Sequence, residues 1–329
     1  MLDHPPPMSP ELGDDIKLPV EPSDIEAAHA RISAYIRRTP IMQASLAAAP
    51  GARVFFKLEF TQHAGSFKSR GAFNNLLSRE IPATGVTAAS GGNHGIAVAQ
   101  AARRLGCSAR IFVPEISAKV KMEAIRSTGC ELIIGGARYA DAQMSCDAYA
   151  SQSGALLVHP IDSVPTIAGQ GTLAKEWEED HHALGWGKLD TVLVGVGGGG
   201  LIAGMAAWWR GRVKVVAVEP EGSRCLQAAL QAGHPVDVPV ESIAADALGA
   251  RRAGDLVFEI AKYAVADSIL VADEAITQAQ QLLLRDFRII SEPGGAAALG
   301  ALISRRYEPQ RGERVGVLLC GGNVDPTKI

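Results

Sequence analysis

A lysine at the start of a predicted helix is the first group in this sequence whose position suggests covalent chemistry. Lys68 follows Gly65-Ser66-Phe67, and Arg70 lies two residues further on. A helix N-terminus disfavours a positive charge, so an ordinary structural lysine more often lies at the other end of a helix. The position of Lys68 therefore predicts lowered basicity and covalent or anion-linked chemistry.

A run of four glycines is the second such feature. The apolar segment Thr191 to Val196 predicts a strand, Gly197 to Gly200 follow it, and a helix is predicted from Leu201. Backbone N–H groups gathered at a helix N-terminus form a binding site for an anion, and phosphate is the guest we expect. A tight turn with close packing is the structural alternative, although a turn needs only one or two glycines.

The same loop also fits a dinucleotide fingerprint. Gly195, Gly197 and Gly200 satisfy GxGxxG, and Glu219 closes the next predicted strand about 20 residues later, where such proteins place a ribose-binding acid. On this segment alone, an NAD-dependent dehydrogenase remains an alternative.

The elements that must position these groups alternate between short β-branched runs and longer helical stretches, which is typical of βαβ units. The predicted strands are Arg53 to Leu58, Ala109 to Val113, Glu131 to Ile134, Ala155 to Val158, Thr191 to Val196, Val213 to Val218, Ser268 to Val271 and Arg314 to Leu319. Helices are predicted at Lys68 to Leu77, Gly95 to Leu105, Lys119 to Thr128, Ala140 to Ser151, Leu201 to Trp209, Asp273 to Arg285 and Gly295 to Arg306. We expect parallel sheets covered by helices, with ligands at the carboxyl ends of the strands.

Composition narrows the class of protein. The 329 residues fit two domains or one subdivided α/β unit, and a net charge of -3 argues against nucleic-acid binding. Five scattered cysteines without a CxxC pair argue against disulfides and structural zinc, so we expect a cytoplasmic protein. The Pro-rich N-terminus lacks the apolar region of a signal peptide. The longest apolar stretch, Leu193 to Trp209, is too rich in glycine for a membrane span.

Further motifs share one order along the chain with those of a known enzyme family. The sequence resembles the threonine/serine dehydratase branch of the pyridoxal-phosphate enzymes related to tryptophan synthase β, from about Glu21 to Asp325. The motifs that carry the resemblance are Gly65-Ser66-Phe67-Lys68, Ala89-Ser90-Gly91-Gly92-Asn93-His94-Gly95, Ala168-Gly169-Gln170-Gly171-Thr172, Gly197 to Leu201, Glu292-Pro293-Gly294-Gly295-Ala296 and Cys320-Gly321-Gly322-Asn323. The Ala168 segment is expected just before a helix of the large domain.

The resemblance implies a role for each motif. Lys68 would bind pyridoxal 5'-phosphate covalently and then act as general base, with Phe67 packed beside the cofactor ring. The phosphate would lie in the loop of Gly197, Gly198, Gly199, Gly200 and Leu201. Asn93, Glu292 and Cys320 would contact the ring, Cys320 at its nitrogen. The substrate carboxylate would be held by Ser90, Gly91, Gly92, Asn93 and His94.

The resemblance also implies a fold and an activity. We expect two doubly wound α/β domains of tryptophan synthase β-like, fold type II architecture: a flexible leader at 1–20, a large cofactor-binding domain at 21–84 and 155–329, and a small mobile domain at 85–154. The expected reaction is β-elimination from a β-hydroxy-L-amino acid, threonine or serine, giving a 2-oxo acid and ammonia. A homodimer or homotetramer is expected, and no C-terminal regulatory domain.

Departures from the family pattern leave alternatives open. Serine racemases carry a second serine where this chain has Gly91, so racemisation is disfavoured. Glu219 matches a divalent-cation ligand of some relatives, but Cys225 replaces its acidic partner, and we expect no metal. The segment Asp246 to Arg252 differs from the usual one. If Arg251 and Arg252 face the cleft, the substrate would be a modified hydroxy amino acid such as hydroxyaspartate, phenylserine or an ectoine-derived one. A non-catalytic ligand-binding relative is the remaining alternative.

Overall fold

The computed structural model describes residues 11–13 and 15–329. Its strands form a six-stranded sheet of order β1-β2-β10-β7-β8-β9 and a four-stranded sheet of order β5-β4-β3-β6. The strands are β1 Ile41–Ala44, β2 Arg53–Lys57, β3 Val86–Ala89, β4 Ala109–Val113, β5 Glu131–Ile134, β6 Leu156–Leu157, β7 Thr191–Gly195, β8 Lys214–Pro220, β9 Asp267–Val271 and β10 Arg314–Leu318. All pairings are parallel except that of β1 with β2.

Helices cover both sheets. They are α1 Pro22–Ile32, α2 Lys68–Leu77, α3 Asn93–Leu105, α4 Lys119–Arg126, α5 Tyr139–Ser153, α6 Val164–Ala183, α7 Gly200–Trp209, α8 Cys225–Ala232, α9 Ala245–Leu248, α10 Asp255–Ala264, α11 Asp273–Leu282 and α12 Pro293–Ile303. A π-helical turn, Leu283–Phe287, continues α11. None of the helices in the described ranges is long and apolar enough to cross a membrane.

The central strands of the larger sheet are apolar on both faces. Strand β7 is buried along its whole length, and β8 is buried in all but its first residue. Helices pack on each side, so continuous apolar runs replace the polar-apolar alternation of a half-exposed strand. This burial leaves the loops at the strand ends as the places where polar side chains meet.

The smaller sheet includes a strand that prediction had assigned to the large domain. Strand β6, at residues 156–157, pairs in parallel with β3, which moves the boundary of the small domain beyond residue 154. At the other boundary, Leu18 and Val20 of the predicted leader are buried in the core of the larger domain. The described end of the leader is therefore packed, while residues 1–10 lie outside the described part.

Helices α2 and α6 approach closely because small residues face each other. A Cβ added to Gly169 would lie 2.7 Å from the Cα of Gly71 and 2.8 Å from the carbonyl oxygen of Arg70. The Ala168 to Thr172 motif lies inside α6. The prediction that this motif lies just before a helix is therefore wrong. The contact fixes α2, whose first residue is Lys68, against the larger domain.

Candidate active site

Lys68 lies at the cleft between the two sheets. Its Nζ donates to the carbonyl oxygen of Pro160 at 2.6 Å and lies 5.2 Å from the ring centroid of Phe67. The backbone N–H of Phe67 donates to the carbonyl oxygen of Cys320 at 3.1 Å, which joins the lysine segment to the end of β10. Burial lowers the pKa of Lys68 to about 8, although the neighbouring Cys320 opposes the shift. A neutral amine is therefore accessible near neutral pH.

The four-glycine loop offers unpaired donors. Within the described residues, the backbone N–H groups of Gly197 to Gly200 have no recorded acceptor, and Gly200 opens α7. A Cβ on Gly198 would lie 2.2 Å from Cδ1 of Ile161, and one on Gly197 would lie 3.0 Å from the Cα of Leu248. The loop therefore has space for backbone only. Its N–H donors suit an anion at the start of α7, whose second residue is Leu201.

A second helix N-terminus lies across the cleft. Helix α3 begins at Asn93, after Gly92 in extended backbone, and the Gly92 N–H donates to Ser90 Oγ at 3.2 Å. Nε2 of His94 lies 2.9 Å from the carbonyl oxygen of Val158, and since a carbonyl only accepts, this nitrogen carries the proton. Burial lowers the pKa of His94 to about 3, so the ring stays neutral. A side chain on Gly91 would collide with Ser117.

Amide and carboxylate groups join this helix start to the larger domain. Nδ2 of Asn93 makes a short hydrogen bond to Glu292 Oε1, and Oδ1 of Asn93 accepts from Asn323 Nδ2 at 2.8 Å. Glu292 is 2% exposed and immediately precedes α12. The predicted ring-contacting residues Asn93 and Glu292 are thus in direct contact with each other.

Cys320 presents a neutral thiol to the same cleft. Its side chain is buried, and Sγ lies 3.6 Å from the carbonyl oxygen of Gly294. Burial, with a smaller contribution from Glu292, raises the pKa of Cys320 to about 12. The group therefore remains protonated at neutral pH and supplies no negative charge.

Glu219 is engaged elsewhere. Its carboxylate accepts the backbone N–H groups of Leu226 and Gln227, both at 2.8 Å, at the start of α8. The residue is 0% exposed, and burial raises its pKa to about 7. A ribose-binding acid must face the ligand, so this geometry argues against the dinucleotide alternative. Nearby, Cys225 Sγ lies 3.2 Å from the carbonyl oxygen of Gly197.

Two groups at the cleft were not predicted from the sequence. His159 Nδ1 accepts from the N–H of Asp162 at 2.8 Å, and burial lowers the pKa of His159. Lys121, on α4, is 1% exposed and bonds to Glu292 Oε2 at 2.8 Å. A signal for Lys121 exists in the sequence, because it precedes the fully buried Ile125 by four residues and so shares its helix face.

Comparisons with known proteins match most of the chain to one family. Residues 32–321 match the family described as pyridoxal-phosphate dependent enzyme. The chain is 41% identical over 281 residues to the biosynthetic L-threonine dehydratase of Salmonella typhimurium, covering 83% of this chain and 53% of the relative. It is 34% identical over 312 residues to the phenylserine dehydratase of Ralstonia pickettii, covering 92% and 93%.

Solved structures give the same fold. The structure of maize serine racemase superimposes with a TM-score of 0.88 at 33% identity, covering 94% of this chain and 95% of that one. The chain spans about half the length of the biosynthetic threonine dehydratase (53%) but nearly all of the phenylserine dehydratase (93%).

Proposed function

The chain belongs to the family of pyridoxal-phosphate-dependent enzymes with the fold type II architecture, and from this premise we propose that it dehydrates and deaminates a β-hydroxy-L-amino acid, threonine or serine. The family and fold predicted from the sequence are confirmed, as is pyridoxal phosphate as the cofactor of the family. The observation that carries the proposal is the lysine of lowered pKa between two helix N-termini that offer unpaired donors.

The residues present fit this cofactor. The unpaired N–H groups of Gly197 to Gly200 would hold its phosphate, since a Cβ on any of these glycines would meet neighbouring atoms. Lys68 would bind its aldehyde carbon, and the Cys320 thiol would face its ring nitrogen. When bound, pyridoxal phosphate supplies an electron sink for the charge left on the substrate Cα by proton removal.

Lys68 would move the proton at the substrate Cα. A pKa of about 8 leaves an appreciable neutral fraction near neutral pH, as a general base requires. The carbonyl oxygen of Pro160, 2.6 Å from Nζ, holds the amine in the cleft. Loss of the Cα proton and of the β-hydroxyl releases water. The freed unsaturated amino acid then takes up one water and yields a 2-oxo acid and ammonia.

The start of α3 would bind the substrate carboxylate. Asn93 and His94 open this helix, and Ser90 holds the preceding turn through the Gly92 N–H. The neutral His94 ring fastens the helix start to the end of the small sheet through Val158. A carboxylate bound there would face helix N–H donors and the favourable end of the helix dipole.

The surroundings of the cleft support a simple substrate side chain. Arg251 and Arg252 are exposed, and Arg252 pairs with Asp255 at 3.5 Å. The pairing of Arg252 with Asp255 supports a substrate without a second carboxylate. We also propose that the enzyme acts as a homodimer or homotetramer in the cytoplasm. Size-exclusion chromatography with light scattering of the cofactor-loaded protein would test the oligomeric state.

The proposed reaction is tested by measuring 2-oxo acid and ammonia from a panel of L-Thr, L-Ser, D-Ser, 3-hydroxyaspartate and phenylserine. We expect equimolar products from L-Thr or L-Ser with the cofactor-loaded protein, and none with Lys68→Ala. Gly106→Ala, at the far end of α3, serves as the active control. Turnover of phenylserine or hydroxyaspartate alone would replace the substrate class, and full activity of Lys68→Ala would contradict the mechanism.

A further inference from the structure

A buried lysine of the small domain contacts two carboxylates of the large domain. Nζ of Lys121 lies 2.8 Å from Glu292 Oε2 and 2.5 Å from Asp246 Oδ2. Lys121 belongs to α4 and Asp246 to α9, and Glu292 is the residue immediately before α12. These three residues are named here the interdomain clasp. Because its members come from both sides of the cleft, the clasp forms only when the two domains are together.

Pairing is what allows the ammonium group of Lys121 to be buried. A buried ammonium group is strongly unfavourable unless it is paired, and Lys121 is 1% exposed. Burial lowers its pKa, but Glu292 and Asp246 more than offset this, and the pKa of Lys121 is raised. Separating the domains would return Lys121 and Glu292 to water, where each charge is hydrated. The ion pairs therefore favour the arrangement in which the two domains are together, and opening exchanges these pairs for hydration.

One arm of the clasp reaches the predicted carboxylate loop. Glu292 bonds to Lys121 through Oε2 and to the Asn93 amide through Oε1. Oδ1 of Asn93 in turn accepts from Asn323. The orientation of Asn93 at the first turn of α3 is thus linked to whether Lys121 is in place.

The other arm reaches the glycine loop. The carbonyl oxygen of Asp246 lies 3.4 Å from the position of a Cβ on Gly92, and the Cα of Leu248 lies 3.0 Å from that on Gly197. The side chain of Ala247 would lie 2.7 Å from a Cβ on Gly294. Helix α9 therefore touches the carboxylate loop, the glycine loop and the start of α12. The ion pair to Lys121 holds this helix in that position.

We propose that Lys121 is a positioning residue that closes the small domain over the substrate and, through Glu292 and Asp246, sets Asn93 and α9 for the reaction. The side chain of Asp246 is 50% exposed, so this end of the clasp is in contact with solvent. The kinetic consequence rests on the proposed function, whereas the closure itself does not.

The test compares Lys121→Met with Arg126→Met. Arg126 lies on the same helix, but its partner Glu123 is also on α4, and both side chains are exposed. Hydrogen exchange of the cofactor-loaded protein is measured at residues 119–126 and 242–250. We expect exchange to accelerate about 100-fold in both segments for Lys121→Met, as removal of one partner of a buried pair implies. Arg126→Met should stay close to the parent protein.

Kinetic constants distinguish a positioning role of Lys121 from a purely structural one. Lys121→Met should raise KM for the amino acid and lower kcat, together reducing kcat/KM on the order of 100-fold, while the cofactor stays bound at full occupancy. Lys121→Arg should recover part of the loss because the positive charge is retained. A lowered melting temperature with unchanged kinetic constants would overturn the proposal and leave a structural role.

A double variant tests the pairing itself. If Lys121 acts through Asp246, the exchange rates of Lys121→Met/Asp246→Asn should equal those of Lys121→Met alone. Additive effects, or unchanged exchange in Lys121→Met, would overturn the clasp even if 2-oxo acid is released. If the parent protein releases no 2-oxo acid while the exchange results are as expected, the proposed function fails and the clasp stands.

Discussion

Two clusters of charged side chains in this chain are built differently. The large-domain cluster consists of Lys57, Glu59, Arg70 and Glu176, whose side chains are all 2% exposed or less. Its members lie on β2, the turn after it, α2 and α6, within one domain. The interdomain clasp joins two domains and has one half-exposed member, Asp246. We therefore expect the first cluster to hold a fixed position and the second to open and close.

Bond geometry explains the rigidity of the large-domain cluster. Arg70 binds Glu59 through Nε at 2.6 Å and Glu176 through Nη2 at 3.0 Å. Lys57 donates to Glu176 at 2.8 Å and to the carbonyl oxygen of Thr39 at 2.7 Å. Although burial opposes it, Arg70 and Lys57 lower the pKa of Glu176 to about 2. Since Arg70 lies two residues after Lys68, this cluster anchors the start of α2.

The largest effect on stability should come from removing Arg70 from the large-domain cluster. Arg70→Met leaves Glu59 and Glu176 buried without their main partner, and should lower the free energy of unfolding by about 3–5 kcal/mol. Denaturant unfolding measures it. As a control, Arg314→Met removes a partly exposed pair with Asp190 at 2.9 Å and should cost at most about 1 kcal/mol. Equal losses in the two variants would remove the distinction between buried and exposed pairs.

A side chain added to Gly199 in the glycine loop should have the next largest effect. Gly199 has φ +91, and a Cβ there would lie 2.5 Å from Cγ1 of Val257. Gly199→Ala should therefore destabilise by about 2–3 kcal/mol and weaken cofactor binding, measured by absorbance titration. Gly106, with φ +72 and nothing within 4 Å of the added Cβ, gives the matched control, because Gly106→Ala adds backbone strain alone. Normal cofactor affinity of Gly199→Ala would contradict a phosphate site in this loop.

The smallest expected effect is the pH dependence of Lys68. Its pKa is lowered from 10.5 to about 8, so the neutral amine should increase about fivefold between pH 7 and pH 8 and level off above about pH 9. The rate at which the cofactor-free protein takes up pyridoxal phosphate, followed by absorbance in stopped flow, should rise over the same range. A rate that keeps rising towards pH 10.5 would mean that burial does not lower the pKa of this lysine.

Local signals explain which features could be predicted from the sequence. The start of α2 at Lys68 and the loop at Gly197 to Gly200 follow from helix and glycine patterns within a few residues. Strand β3, Val86–Ala89, was missed because four residues before a glycine-rich turn carry a weak pattern. Strand β1 was also missed. Boundaries elsewhere differ by a few residues, as at α3, which begins at Asn93 and not at Gly95.

Contacts between distant segments explain what could not be predicted. Lys121 and Glu292 are separated by 171 residues, and nothing near Lys121 in the sequence shows which carboxylates it meets. The same holds for Lys68 and the carbonyl oxygen of Pro160, a backbone atom that no residue pattern marks. Both contacts form only when distant segments of the chain are packed together.

The central claim is that Lys68, anchored by the large-domain cluster, carries the cofactor. It is tested most directly by loading the protein with pyridoxal phosphate, reducing it with borohydride to fix the lysine-bound cofactor as a stable secondary amine, and locating the added mass by peptide mapping. We expect the label on Lys68 and on neither Lys57 nor Lys121. A label on another lysine, or none despite bound cofactor, would contradict the claim.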